Sequence, residues 1–381
     1  MSGVVIVGGG LAGGAIATLL ARAGRAVMVL EREASPVDKV CGEFLSHEAG
    51  RYLSALGLDL PALGARSIDT LRLCHGAQVA SVPLPFAALS LSRRVLDEAL
   101  LQLAARAGAT VRRGVKVQGL ERAGGRFRAR LDDGDVVEAG AAFLATGKHD
   151  LRGLRRPAGR QHDLVAFKLN YRLAPRQAAE LSEHVELVLV PGGYAGLSPV
   201  EDGRANLCLL VQKHRLAAVG QRWEGLLAAI EAASPHLAGR LGGATPCWSR
   251  PLALSAIPYG HVQRRADGIW RLGDQAAVIP SFSGDGMSIA LHSAHLAAGV
   301  YLAGGDADTF QRRLARDVTS QVRLSTVLSA GLVRRPVQAA LSAVARRLPG
   351  LMAAVASRTR VSDEALARTG ALGPRVTEAA R

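Results

Sequence analysis

The chain has 381 residues, 49% of them hydrophobic, which is enough for more than one ordinary core and points to two domains. Lys and Arg outnumber Asp and Glu by 47 to 32, for a net charge of +15, yet aromatic residues are only 4% and do not interleave with the basic clusters, so no nucleic-acid partner is expected. Four cysteines, Cys41, Cys74, Cys208 and Cys247, stand far apart without a C-x-x-C pair, which argues against a metal centre or a disulfide framework and fits a cytoplasmic protein.

The opening run Val4 to Val7 reads as a buried parallel strand, and a tight turn and a helix follow it. Gly8, Gly10 and Gly13 form G-x-G-x-x-G: the first permits the turn, the second lets backbone approach a pyrophosphate, and the third lets helix pack on strand. Leu11 and Ala12 open the helix, whose N-terminus offers unpaired N–H groups to phosphate. A second strand closes at Glu31, beside Arg32, where a carboxylate can accept hydrogen bonds from a ribose diol. With this fingerprint at the opening strand no signal peptide is expected, and no apolar run is long enough to span a bilayer.

Further along, a helix after Ser92 sets Leu96, Leu100 and Leu103 on one face and leads into a strand near Val111 to Val117. A hairpin turns at Asp133-Gly134, and a buried strand returns before Gly147. From about Gln161 to Gln263 the texture changes to strands and turns, a second, sheet-based domain, with Ser67 to Leu84 as a β excursion of the same domain. The expected division is a discontinuous cofactor domain over 1–66, 85–160 and 262–305, a substrate domain over 67–84 and 161–261, and a helical region over 306–381 broken at Pro336 and Pro349.

A second cofactor-contacting stretch follows a short strand ending at Leu272. Gly273 and Asp274 close that strand, a Pro/Ser/Gly loop carries Gly284 and Asp285, and a helix begins at Gly286 and Met287. An acid there can hold ribityl hydroxyls, and the helix dipole can stabilise negative charge on a reduced isoalloxazine. NAD needs no second contact region this far downstream, whereas FAD does.

These motifs resemble the FAD-dependent oxidoreductases of the para-hydroxybenzoate hydroxylase fold, which include aromatic monooxygenases and the geranylgeranyl reductase branch. The resemblance implies an α/β architecture: a Rossmann-like FAD-binding domain of the glutathione-reductase type, an inserted mixed β-sheet substrate domain and a C-terminal helical segment. It implies that Arg93 contacts the FAD phosphates and ribityl region and that Val117 lies on the adenine side. Thr146-Gly147 stands where the hydroxylases carry an Asp-Gly motif for FAD and NAD(P)H, which removes one acidic anchor and leaves the electron donor open; NAD(P)H is one candidate, with Lys148, His149, Arg152 and Arg155 beside the site to receive its phosphate. Cys41-Gly42 stands where the reductases carry a Cys-Gly motif close to the flavin. The segment around Tyr194 resembles their pocket-lining motif, but Gly196 replaces its Trp and makes room for a wider substrate.

Two chemistries follow. The first is a monooxygenase that uses reduced flavin and O2 to hydroxylate an aromatic or lipid-like molecule, for example a polyketide-derived one; it ranks first because the pocket lacks the reductase Trp and because the fold most often hosts hydroxylation. The alternative is an ene-reductase acting on C=C bonds, with Cys41 as proton donor. His47 and Tyr194 are further catalytic candidates. A halogenase is disfavoured because none of Trp223, Trp248 and Trp270 forms a W-x-W-x-I-P segment, and an electron carrier would not require a substrate domain. Finally, Leu324, Val327, Leu328, Leu332, Val333, Leu341, Val344 and Leu348 recur at helical spacing beside Arg334, Arg335, Arg346 and Arg347. That stripe either covers the protein's own core or rests peripherally on the inner face of an anionic membrane.

Overall fold

The computed structural model describes residues 3–369, so the end of the expected helical region, 370–381, lies outside the described residues. Strand Val4–Val7 is buried along its whole length, as a continuous apolar run in a parallel sheet should be. It lies between Val27–Glu31 and Ala141–Leu144, and Thr110–Arg113 and Trp270–Arg271 complete a five-stranded parallel sheet. Side chains alternate across it. Val4, Ile6 and Val29 pack with the helices Leu11–Arg22, Arg93–Arg106 and Gly286–Leu302, while Val5, Val7 and Leu30 pack under an antiparallel ribbon of Val117–Ala123, Arg126–Leu131 and Val136–Ala139. The single strand expected near Val111 to Val117 is two: Gly114 adopts φ +69°, which ends one strand and redirects the chain into the next.

The second unit is a nine-stranded mixed sheet. Its core is Leu164–Arg172, Ala205–Gln212, Gly193–Pro199 and His184–Val190, extended in parallel by Arg66–His75, which forms a hairpin with Gln78–Ser90. The hairpin therefore runs on beyond the Ser67 to Leu84 excursion. One sheet face buries Phe167, Leu169, Leu207 and Leu209 beneath helices Trp223–Ala233 and Pro235–Leu241. The same face carries a buried ion cluster in which Arg240 and His236 both reach Glu186, at 2.8 and 2.9 Å. Burial opposes the charge on Glu186, but these two partners prevail and hold its carboxyl down at about 2. Cys74 lies beside Glu186 and His236, but with Arg240 and Arg72 also on Glu186 the carboxylate is already neutralised by cations of the protein. The opposite face presents Ala166, Lys168, Asn170, Tyr194 and Cys208 towards the cofactor domain and the C-terminal helices.

Helices Ala307–Leu332, Arg335–Arg347, Pro349–Arg358 and Asp363–Arg368 close the structure, with Pro336 and Pro349 in first turns, where a missing N–H costs nothing. What they bury is partly polar: Gln321, Ser325, Ser329, Gln338 and Ser342 face inward. Gln338 donates to the carbonyls of Val190 and Gly193, and Ser329 to Gln161. In exchange Val327, Leu348 and Leu351 point outward, at 69%, 56% and 52% exposure. No single described helix is long and apolar enough to cross a membrane.

Candidate cofactor and active site

A cavity of about 590 Å³ runs between the two units, within the roughly 300–1,000 Å³ usual for cofactor and small-molecule sites. At one end the glycine turn is shaped by backbone contacts. Gly8 has φ +102°, and a Cβ there would lie 2.5 Å from the Ala145 carbonyl oxygen. A Cβ on Gly13 would lie 1.9 Å from the Gly8 oxygen, so Gly13 serves helix–strand packing and does not line the cavity. Gly10, by contrast, faces the cavity, and the nearest atom to a Cβ there is Arg93 Nη2, at 3.1 Å. Gly10 is also the N-cap of helix Leu11–Arg22 and provides no side chain to occupy the first N–H groups.

Glu31 is fixed beside this turn, its Oε2 accepting the Gly9 N–H at 2.6 Å and its Oε1 the Glu33 N–H at 2.9 Å. Arg93 is clamped by Asp97 through two hydrogen bonds of 2.8 and 3.0 Å, and Lys39 reaches the same carboxylate at 2.8 Å. Burial opposes charge on Asp97, but Arg93 and Lys39 outweigh it and hold the carboxyl below its usual range. The clamp holds a cation over the Gly10 turn. Leu11, Ala12, Arg32, Val117, Thr146, Gly147, Gly273, Asp274, Gly284, Gly286 and Met287 line the same cavity, and Gly273 packs against Ala12, a Cβ on it lying 3.5 Å from the Ala12 Cβ. The Asp274 carbonyl is tied by Arg156 at 2.6 Å, and the Gly273 N–H donates to Ser293 at 2.9 Å.

Cys41 and Gly42 lie on the same cavity in a loop gripped by the substrate sheet. Asn206 Nδ2 donates to the Cys41 carbonyl at 3.1 Å, Ser198 Oγ to the Gly42 carbonyl at 3.2 Å, and the Glu43 N–H to Cys41 Sγ at 3.3 Å.

Three expected site residues fall elsewhere. His47 is exposed at the start of helix His47–Ala55 and does not line the cavity. Tyr194 is buried edge-on against Phe282, with ring centroids 6.0 Å apart, and also lies off the cavity lining. Asp285 turns away behind the loop, where Gln321 donates to it at 3.2 Å; burial pushes its carboxyl up to about 8 against the opposing charge of Arg360. Sequence reading passed over Asp97, Glu43, Lys168 and Arg156. Of these only Asp97 carried a local signal, as the acid one helical turn after Arg93.

The Gly8–Gly10 turn and the Gly273–Asp274 turn open on one cavity, as a single dinucleotide held by both requires, and the class of protein this points to is the FAD-dependent oxidoreductase. Residues 1–142 match the family model of the FAD binding domain. The chain is 30% identical over 360 residues to the menaquinone reductase of Mycolicibacterium smegmatis, covering 86% of this chain and 84% of that one. It belongs to this family of FAD-dependent oxidoreductases. Among solved structures it is similar to a probable FAD-dependent monooxygenase from Pseudomonas aeruginosa, with TM-score 0.73, 21% identity and coverage of 89% and 99%. It is also similar to a geranylgeranyl bacteriochlorophyll reductase-like protein from Thermoplasma acidophilum, with TM-score 0.74, 18% identity and coverage of 97% and 95%. Those two likenesses are of fold.

Proposed function

We propose that this chain is a flavin-dependent reductase that saturates a C=C bond in an isoprenoid, lipid-like substrate of the menaquinone kind. The observation that carries this is the Cys41-Gly42 loop, a thiol held on the cofactor cavity by three hydrogen bonds from Asn206, Ser198 and Glu43. The name of the mycobacterial-type relative supports the same substrate class. Reduced FAD supplies a hydride equivalent when bound. The chain's own part is to seat the phosphates on the Gly10 turn under Arg93, to hold the ribose at Glu31, and to keep a proton on Cys41 Sγ for the carbon opposite. NAD(P)H is the proposed electron donor, with Arg152 and Arg155 exposed nearby to receive its phosphate.

Substrate length is accommodated on the sheet. Gly196 sits in a cross-strand row with Leu187, Cys208, Lys168 and Leu252, and Leu252 lines the cavity, so the row leads from it. A Cβ at Gly196 would meet only the Cys208 oxygen, at 3.9 Å. An apolar group has room beside Gly196. The substrate's source is the inner membrane surface, approached by the outward-facing Val327, Leu348 and Leu351 beside Arg334, Arg335, Arg346 and Arg347.

The test is anaerobic incubation of the FAD-loaded, dithionite-reduced protein with a menaquinone bearing an unsaturated side chain. Gain of H2 in that chain is expected, and it should be lost in Cys41→Ser while FAD stays bound. Incorporation of labelled molecular oxygen, with no saturated product, would instead establish the hydroxylase.

A further inference from the structure

Lys168 is wholly buried in the middle of strand Leu164–Arg172, and nothing in cofactor binding uses it. Its Nζ donates to Glu43 and, at 3.2 Å, to Asp38. Glu43 is also wholly buried, accepts the Arg93 N–H on Oε1 at 2.9 Å, and lines the cofactor cavity with its Oε2 unpartnered. Glu43 adopts φ +59°, a left-handed conformation that a glutamate rarely takes, and in this conformation its N–H meets Cys41 Sγ. Asp38 retains 16% side-chain exposure and lines the same cavity, so the cluster opens to solvent at one end, while at the other the backbone N–H of Glu43 touches the Cys41 thiol.

Some of the polar atoms beside this cluster are uncommitted. Asn170 pairs across the strands with Asn206 on the face that carries Lys168 and Cys208, and both polar atoms of the Asn170 amide, with Asn206 Oδ1, are buried without partners. A fold rarely retains so many unspent groups, and a buried ion pair is poor value for stability alone. Both facts fit a role for the cluster in the site's chemistry.

We propose that the buried Asp38–Lys168–Glu43 cluster is the proton reserve of Cys41, setting the thiol's protonation and returning its proton after each turnover. The inference deepens the reductase reading and rests on it. In the step assigned to the chain, the Cys41 S–H bond breaks and the proton forms a C–H bond on the substrate, leaving a thiolate. An N–H bond of Lys168 then breaks, the proton passes by way of the Glu43 carboxylate to sulfur, and the S–H bond is restored. The neutral Lys168 amine takes a proton from solvent at Asp38. No electron moves in these transfers; the hydride equivalent is that of the reduced flavin.

The charges facing the cluster are consistent with storage of a proton. Burial pushes the Glu43 carboxyl up against the pull of Lys168, and burial pulls the Lys168 ammonium down but is outweighed by Glu43 and Asp38. Lys39, Arg93 and Asp97 border the cluster from the cofactor domain, Lys148 holds the Val40 carbonyl at 2.7 Å, and Cys208 faces it from the sheet.

The experiment is the pH profile of Cys41 alkylation by iodoacetamide, followed on the Cys41 peptide in a Cys247→Ala background that removes the exposed thiol. Removing a neighbouring carboxylate in Glu43→Gln should lower the pH of half-maximal reactivity by on the order of one unit, Asp38→Asn should lower it less, and Lys168→Met should raise it. In FAD-loaded protein Glu43→Gln should cut kcat at least ~10-fold and leave KM within ~2-fold, as loss of a proton-transfer partner does. Wild-type alkylation profiles in both Glu43→Gln and Asp38→Asn would overturn the proposal, and these two shape-preserving variants decide it even if Lys168→Met does not fold. A shifted profile in a protein that saturates no alkene overturns the reductase reading and leaves the coupling of cluster to thiol standing. An unshifted profile in a protein that does saturate one overturns only the cluster's role.

Discussion

Alanine at Gly10 and alanine at Gly13 should fail in different ways, although both glycines belong to one fingerprint. A Cβ on Gly13 would sit 1.9 Å from the Gly8 oxygen and 2.9 Å from its carbonyl carbon, and both of those are backbone atoms of the turn itself. Overpacking typically costs ~1–3 kcal/mol where side chains can yield. Here helix Leu11–Arg22 must move off strand Val4–Val7, so the cost belongs at or above the top of that range, offset by the ~1 kcal/mol that alanine gains over glycine inside a helix. Gly13→Ala should therefore lose at least ~2 kcal/mol of apoprotein stability.

At Gly10 the nearest atom is the far end of the Arg93 side chain, at 3.1 Å, which can yield. Apoprotein stability should stay within ~1 kcal/mol of wild type. The methyl instead intrudes where phosphate must approach, and loss of one charge-assisted hydrogen bond, ~1.5–3 kcal/mol, weakens FAD by roughly 10- to 100-fold. Urea midpoints of the apoprotein and fluorescence titration with FAD separate the two effects. A wild-type urea midpoint in Gly13→Ala, or wild-type FAD affinity in Gly10→Ala, would refute the reading of the turn.

Gly196→Trp should fold and retain FAD, since a Cβ there meets only the Cys208 oxygen at 3.9 Å, but should lower kcat/KM for a long isoprenoid substrate at least ~10-fold; unchanged kcat/KM would remove the chain from this row of the sheet. Glu186 has its folded pKa held down at about 2 against an ordinary value of 4.5, so the stability it contributes is complete above pH 4.5 and is lost as pH falls towards 2. The difference, about 2.5 units, corresponds to on the order of 3 kcal/mol, and Glu186→Gln should flatten the acid limb of a urea-midpoint profile by about that much; an equally steep limb would contradict it. Vesicles with anionic lipid should sediment the protein at low salt and release it at high salt, and binding should weaken when Arg334, Arg335, Arg346 and Arg347 become Gln, each worth on the order of 1 kcal/mol. Equal binding to neutral vesicles, or none at low salt, would leave the exposed Val327, Leu348 and Leu351 without a lipid role.

What the sequence made legible was what chemistry writes in contiguous residues. Gly8, Gly10, Gly13 and Glu31 are close enough along the chain for their spacing to encode a turn and the acid fixed beside it, and Gly273-Asp274 carries the same kind of signature at a strand end. The strand-rich texture after Gln161 was likewise local and became a sheet. What failed was direction. Tyr194 stands two residues from Gly196 on the same sheet face, yet it packs against Phe282 because the loop and the C-terminal helices cover that end. Asp285 follows Gly284 in the cofactor loop but turns its carboxylate behind it, towards Gln321 on a distant helix.

The polar residues buried by the C-terminal helices and Lys168 were not legible for a related reason. Periodicity says which residues share a face but not what that face meets. In helix Ala307–Leu332 the polar residues Gln321, Ser325 and Ser329 turn inward, and Ser329 finds its partner in Gln161, more than a hundred residues away. Burial of a satisfied polar group costs little, so Gln321 and Ser329, partnered by Asp285 and Gln161, turn inward while Val327 stays outside. In strand Leu164–Arg172 the alternation of Lys168 and Asn170 with apolar residues reads as a wet face, as it would on the edge of a sandwich. That face is instead turned on the Cys41 loop, where the ammonium meets Glu43 and Asp38, which lie earlier in the chain and in a different domain. A charged residue on an apparently solvated strand face therefore changes meaning once a second domain closes over it. In this protein the groups best placed to move a proton are those whose partners no local pattern could supply.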